Sequence, residues 1–411
     1  MDGNICVGLD IGTTKIACII SEIDISGEMK IIGVGVSSSD GLRKGVVINI
    51  EKTVRSIQKA VEEAELMSGV DVDSVYVGIA GDHIRAINSR GVIATKGENN
   101  EITKQDVSRA IDNARAVSIP MDREILHVIP QEYIVDDQKG IKDPVGMCGV
   151  RLETQVHIIT GAVTSAQNLV KSVEKAGLKV IDLVLEPLAS SYAVLEDDEK
   201  ELGVALIDMG GGTTDIAIYS EDSIRHTAVV GLGGEYVTKD IAIGIRTPIE
   251  KAEEIKKCYG CAFTPLVRTE EYVNVPGIGG REQREVSREV LASIIEPRLE
   301  EILSLALREI RRTEYAEMLG AGIVITGGGS LMEGMQELSE RIFEMPIKIG
   351  IPFGFGGLVE AASSPIHATG VGLCKYAMDM KETSKDRRPI SGEDIFKKVF
   401  NRMKNWVKEY F

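Results

Sequence analysis

VALIDMGGGTTD, residues 204–215, is the stretch on which the fold turns. Apolar residues 204–207 lead into Asp208, three glycines, two threonines and Asp215, and another apolar run follows at 216–219. The pattern is a strand, a glycine-rich turn and a second strand: a β-hairpin whose turn can come close to a ligand. An earlier stretch repeats it, with residues 5–10 running into GTTK at 12–15 and an apolar run at 16–20. The repetition marks an internal duplication. Two similar lobes, each offering one hairpin loop, would place a ligand in the cleft between them, where small-molecule sites are common.

Phosphate oxygens need backbone N–H donors that no side chain screens, so glycine followed by Ser or Thr is the expected loop chemistry. Gly12, Thr13, Thr14 and Lys15 satisfy it, as do Gly210, Gly211, Gly212, Thr213 and Thr214. An aspartate precedes each loop. Asp10 and Asp208, facing a triphosphate, would hold Mg2+ through its waters, and Lys15 would add a point charge for the phosphates. For one loop alone a plain tight hairpin is an equal alternative; the matched pair favours a phosphate site. A third cluster, Gly327, Gly328, Gly329 and Ser330, follows an apolar strand at 322–326 and would let backbone pass close to a ribose or base. Gly233, Gly234 and Glu235 form a similar segment. Alone, either reads equally well as an ordinary turn.

The composition bounds what the molecule is. A chain of 411 residues, 43% apolar, can bury a large core and should hold two or more domains. Aromatics are only 4% and glycines number 43, the balance of an α/β protein with many tight loops. The formal charge of -16 argues against the whole surface being drawn to nucleic acid or anionic lipid, so any membrane contact must be local. Six scattered cysteines lack the dense spacing of a secreted disulfide framework and suit a reducing cytosol. Cys258 and Cys261 form a single C-x-x-C with no second pair, so ordinary thiols are favoured over zinc or redox chemistry. Neither a signal peptide nor a run of roughly 20 apolar residues is present, so the expectation is neither secretion nor a spanning helix.

Along the chain an amphipathic helix is expected at 51–68 and a strand at 74–80, after which the pattern changes. Residues 82–160 read as short strands around one helix at 103–117, a small inserted α+β domain. The regular pattern resumes with a strand at 156–162, a helix at 165–176 and a strand at 179–185. Residues 247–320 are mostly helical, with amphipathic stretches at 248–258 and 287–312, and a helix at 367–378 closes the folded body.

DIGTTK (10–15), EPLASSYA (186–193), DMGGGTTD (208–215), TGGGS (326–330) and ATGVGLCKYA (368–377) occur in the order of the five motifs of the actin, sugar kinase and DnaK-type chaperone superfamily. The chain resembles that superfamily. KGVVINIEKT (44–53), YVGIAGDHI (76–84), HVIPQEYIVDDQKGIKDPVGMCGVRLE (127–153) and ITGAVTSAQNLVKSVEKAGL (159–178) narrow the resemblance to the FtsA family of bacterial division proteins, almost continuously from residue 5 to 378. The resemblance implies an α/β, actin-like fold: two ribonuclease-H-like lobes around a nucleotide cleft, with an inserted small α+β domain. It implies ATP and Mg2+ in the cleft, Asp10 and Asp208 on the metal through water, and Glu186 orienting an attacking water, with Asp208, in an ATPase that is slow at most. Glu253 and Lys256 would line the adenosine, a solvated helix face being nearly as good a reading of these two. It further implies self-association into filaments, FtsZ as a partner facing the helical cap, recruitment of later division proteins, and no nucleic acid. The lobes then divide as 1–81, 162–195 and 365–380 for the first, 196–246 and 321–364 for the second, with the insert at 82–161 and the cap at 247–320.

Residues 381–392 read as a polar linker and 393–411 as an amphipathic helix. Ile395, Phe396, Val399, Phe400, Met403, Trp406, Val407 and Tyr410 share one stripe, with Lys397, Lys398, Arg402, Lys404 and Lys408 off it. Three of the seven Phe and the single Trp lie here. Such a helix would lie in the interface of an anionic membrane on its cytoplasmic face, peripheral and at the division site; docking on the protein's own core is the alternative. Two other functions share the scaffold: a pilus-assembly scaffold of PilM type, and a small-molecule kinase, for which no sugar-binding loop is evident.

Overall fold

The computed structural model describes residues 4–383. The hairpin Asn4–Ile11 and Lys15–Ile23 is followed by Met29–Ser38, and the three form an antiparallel meander. Ser74–Ile79 then adds parallel to Asn4–Ile11, and Lys179–Leu185 adds parallel beyond it. The second lobe repeats this order. Val204–Met209, Thr214–Ser220 and Ser223–Val230 make the meander, and Ile323–Thr326 and Ile347–Ile349 add in parallel on the other side. The duplication read from two hairpins thus extends to five strands of each sheet.

The helix Ile50–Ser68 starts where Asn49 accepts a hydrogen bond from the Lys52 N–H and ends at Gly69, left-handed at φ 70°. Such a cap contributes about 1 kcal/mol. Its buried residues, among them Val54, Ile57, Ala60, Val61 and Ala64, sit at helical spacing and face the first sheet. Each fully buried aliphatic side chain of this kind is worth about 1.5–3 kcal/mol.

The inserted domain is a four-stranded sheet in the order Arg85–Ala94, Arg151–Ala162, Arg123–Val135, Gln138–Ile141. The helix Lys104–Arg115 covers it, begun by a capping box between Thr103 and Asp106. Its core includes Ile102, Ala110, Tyr133, Val135 and Leu152. The expected strand at 156–162 is the second half of Arg151–Ala162 and pairs on both sides within this insert, not with the first lobe's sheet. Its length explains the misreading, since one strand carries both the insert's pairing and the return to the lobe.

The insert also touches the second lobe. Gln131 donates to the Ile224 carbonyl at 2.8 Å, Ser223 donates to the Gln131 carbonyl at 2.8 Å, and His157 Nε2 lies 2.9 Å from Thr227 Oγ1. Elsewhere two bounds shift. Gly356–Gly357, inside the stretch read as second lobe, pairs with Met29–Ser38 at the edge of the first sheet. The helix Ala368–Thr383 runs into the stretch read as linker.

The helices Glu186–Val194 and Ala368–Thr383 cross between the lobes, and Gly372 permits their contact, because a Cβ there would lie 1.8 Å from the Ala189 carbonyl oxygen. The cap consists of Ile249–Tyr259 and Arg288–Arg311 with the short ribbon Tyr272–Val275 and Arg284–Ser287. Among the described residues no helix is long and apolar enough to cross a membrane. The stripe Ile395, Phe396, Val399, Phe400, Met403, Trp406, Val407 and Tyr410 lies outside the described residues.

Candidate functional site

Both glycine loops sit at the ends of the first strands of their meanders, and the fold sets them face to face. A Cβ on Gly211 would lie 2.4 Å from Thr14 Cγ2, and one on Gly212 would lie 2.4 Å from Thr13 Oγ1. The threonines of one loop therefore rest on the bare backbone of the other. Asp10 is buried at the end of its strand and pairs with Lys15 at 3.3 Å. The Lys15 ammonium also donates to the Ile366 carbonyl.

Asp208 is buried in the second lobe and is held by hydroxyls rather than by a cation. Ser190 donates to it at 2.6 Å and Thr369 at 3.4 Å, one from each crossing helix. Burial raises its carboxyl above the ordinary aspartate value, against the Ser190 hydrogen bond. Glu186, at the start of the first crossing helix, is raised well above the glutamate range by burial and then by the charges of Asp10, Asp215 and Asp208, with Lys15 opposing.

Asp215 belongs to the same cluster although it had no assigned role. Thr213 donates to one of its oxygens at 2.9 Å, while Oδ1 is buried without a hydrogen-bond partner. Burial and then Asp208 push it up to about 7. His367 Nδ1 is likewise buried without a partner, and burial, then Lys15, lowers that imidazole to about 4. The signal for Asp215, Ser190 and Thr369 lay in the motifs themselves. All three stand inside DMGGGTTD, EPLASSYA and ATGVGLCKYA, but which side chain points at the cleft is a tertiary fact.

The remaining assigned residues gather at the second loop. Gly234 N and Glu235 N donate to the Gly210 and Gly211 carbonyls at 3.0 and 2.8 Å, so the segment carrying Gly233 folds directly onto the loop. Lys256 donates to the Gly234 carbonyl at 3.1 Å and to Thr238 at 2.8 Å, and pairs with Glu253 at 2.6 Å. Burial holds the Lys256 ammonium below the usual lysine value. Burial works to raise Glu253, but Lys256 beside it wins and holds it below the glutamate range. Gly327, left-handed at φ 82°, lies against Asp208 and Met209. Ser330 is buried and donates to the Gly327 carbonyl at 2.8 Å, closing its own turn, with Gly328 and Gly329 in the same turn.

Asp10, Glu186, Asp208 and Asp215 thus gather in one buried cluster with Lys15 as its cation; burial and mutual repulsion favour the protonated forms of Glu186, Asp208 and Asp215, which need a further cation beside them to ionise together. The orphaned Asp215 Oδ1 has the same need. Among the described residues no three His, Cys, Asp or Glu side chains converge closely enough to cage a metal directly. Paired glycine loops with this carboxylate cluster fit a magnesium-bound nucleoside triphosphate. Cys258 is exposed and Cys261 buried, both as free thiols. A groove of about 480 Å³, lined by Leu126, His127, Ile181, Leu188, Tyr192 and Tyr376 among others, holds none of the assigned residues.

Comparison with known proteins gives this arrangement a family. The family profile described as "Cell division protein FtsA" matches residues 205–372, and that described as "SHS2 domain inserted in FTSA" matches residues 81–160. The cell division protein FtsA of Pseudomonas aeruginosa is 47% identical over 100% of this chain and 99% of its own length. That of Escherichia coli K12 is 42% identical over 99% of this chain and 96% of its own. Among solved structures, the PilM–PilN type IV pilus biogenesis complex aligns with a TM-score of 0.65 at 15% identity, over 91% of this chain and 98% of that one. MreB5 of Spiroplasma citri bound to ADP aligns with a TM-score of 0.56 at 16% identity, over 92% and 99%. These likenesses establish an actin-like fold with an inserted SHS2 domain, and with full-length identities above 40% the chain belongs to the FtsA family of bacterial cell division proteins.

Proposed function

We propose that this division protein binds ATP with Mg2+ between its lobes, associates with copies of itself into filaments, and tethers FtsZ to the cytoplasmic face of the membrane through residues 393–411. The observation that carries the nucleotide reading is the facing pair of glycine loops over a cluster of buried carboxylates. The solved MreB5 structures bound to ADP and to AMPPNP support it by fold.

ATP supplies a polyanion with a hydrolysable terminal phosphoanhydride and brings Mg2+. The N–H groups of loops 12–15 and 210–214 would donate to the phosphates, and Asp10 and Asp208 would hold the metal through its waters. Burial and the neighbouring carboxylates favour the protonated form of Glu186, so it could accept a proton from water only once a cation beside it offset those charges and let it ionise. Glu253 and Lys256 hold each other and the Gly234 carbonyl in place, and would line the adenosine with the turn at 327–330. Both crossing helices touch Asp208 through Ser190 and Thr369, so the position of the nucleotide is tied to the angle between the lobes.

The membrane half of the proposal rests on the stripe at 395–410 and its flanking basic residues, each worth roughly 1 kcal/mol near an anionic surface. The helical cap is the surface proposed to meet FtsZ. The test is co-sedimentation with anionic liposomes, with and without ATP, of the full chain beside a version ending at Ser391. Lipid pelleting by the full chain alone supports the tether. Pelleting by both or by neither refutes it.

A further inference from the structure

A hairpin at 42–47 pairs Leu42 with Val47 and Arg43 with Val46. Its two turn residues, Lys44 and Gly45, both lie in the left-handed region, at φ 50° and 73°. That turn suits the twist of a two-residue hairpin and is taken readily by Gly or Asn, but not by Lys. A lysine kept there against its conformational preference points to a task for its side chain.

The turn is seated on the first lobe. Gly45 N donates to Thr13 Oγ1 at 3.0 Å, so the hairpin holds one of the residues of the first phosphate loop. From that seat Lys44 reaches the second lobe. Its Nζ lies 3.6 Å from the point a Cβ on Gly231 would occupy and 5.5 Å from the centre of the Tyr236 ring. Just beyond Gly231 come the Gly234 and Glu235 amides, which bond the carbonyls of the second phosphate loop. The hairpin's backbone therefore touches the first loop while the Lys44 ammonium stands beside the segment, 231–236, that folds onto the second.

Lys44 is half-buried, and among the described residues it has no ion-pair partner; its neighbour is the face of Tyr236. Lys15 is already committed to Asp10 and to the Ile366 carbonyl. A polyanion entering between the loops meets Lys44 as the cation free to turn toward it.

We propose that Lys44 binds the terminal phosphate of the nucleotide and draws the two lobes together on it, so that the cleft distinguishes tri- from diphosphate. This rests on the nucleotide reading above. The Lys44–Tyr236 contact bridges the lobes weakly; with a triphosphate the phosphate replaces the ring as the ammonium's partner.

Lys44→Asn removes the charge and places a residue the turn prefers, so the fold is retained. The full chain and this variant are titrated with fluorescent analogues of ATP and ADP in Mg2+, beside Lys44→Arg and a melting curve without nucleotide. The expected result is a loss of about tenfold or more in ATP affinity for Lys44→Asn, little change for ADP, most of the ATP affinity restored in Lys44→Arg, and an unchanged or higher melting temperature. Equal ATP affinity in Lys44→Asn and the parent overturns the proposal and leaves the nucleotide site standing. Equal weakening of ATP and ADP reduces Lys44 to a structural part and also overturns it. If the parent binds neither analogue, the nucleotide reading fails and the proposal falls with it.

Discussion

The two lobes share one strand order, yet their phosphate loops are chemically unlike. The first loop carries side chains, Thr13, Thr14 and Lys15, and its aspartate is neutralised by a lysine in the same loop. The second presents bare backbone at Gly211 and Gly212 and keeps two buried carboxylates, Asp208 and Asp215, held by hydroxyls alone. Duplication explains the common scaffold; fitting two copies face to face explains the difference. Where one copy fills the space with threonine, the other must leave it open, and where one supplies a cation the other needs one.

The largest effect should come from breaking the fit. Gly211→Val puts its new atoms against Thr14, and nucleotide affinity should fall roughly a hundredfold or more, because overpacking two loops misplaces every N–H donor they share. Equilibrium dialysis with ATP measures it. Adding Thr14→Gly to Gly211→Val should recover much of the loss; a double variant as weak as the sum of its parts would show that the loops are independent.

Next in size is Ser190→Ala, which takes a hydrogen bond from the buried Asp208 carboxylate and should cost about 1–3 kcal/mol in urea unfolding. A value near zero would mean the crossing helix does not hold the second loop.

The third effect concerns pH. Asp215 is raised in the folded protein from an ordinary 3.8 to about 7, so the folded state binds that proton more tightly than the unfolded chain does. Its contribution to stability is full below about pH 4 and is lost as pH rises toward about 7. The difference between the parent and Asp215→Asn in stability should therefore slope with pH across that window, by at most about 1.4 kcal/mol per pH unit. A flat difference would place Asp215 outside the cluster.

Lys15→Gln should change stability least, by about 1 kcal/mol, since Asp10 is buried but water reaches the lysine side and an amide there can still donate to the carboxylate. Chemical denaturation of the nucleotide-free protein reads it. A larger loss would show that the first loop depends on its cation as much as the second depends on its hydroxyls.

Much of this was legible before any coordinates. The hairpins at 5–20 and 204–219 carry their own evidence, because apolar alternation ending in Asp and glycine has few other uses. The strand Lys179–Leu185 is found with the bounds read for it, and the insert read at 82–161 stands beside a profile match at 81–160. The helix Gly234–Gly244 was not anticipated, since its start is disguised as a glycine-rich turn and its N-terminus has no side-chain cap. Of the strand 151–162 only the second half is legible in the sequence, because its pairing partners lie inside the insert and strand pairing leaves little local trace.

By itself, then, the sequence determined the two loops, their order along the chain, the inserted domain and the family. Those depend on local spacing and on which residue types a phosphate can approach. Only the tertiary structure decided that Thr13 and Thr14 rest on Gly212 and Gly211, that Ser190 and Thr369 reach Asp208 from both crossing helices, and that Asp215 completes the cluster. Contacts between residues far apart in the chain depend on packing two lobes and two helices at once, and burial, which sets the charge state of each carboxylate, exists only after that packing is made.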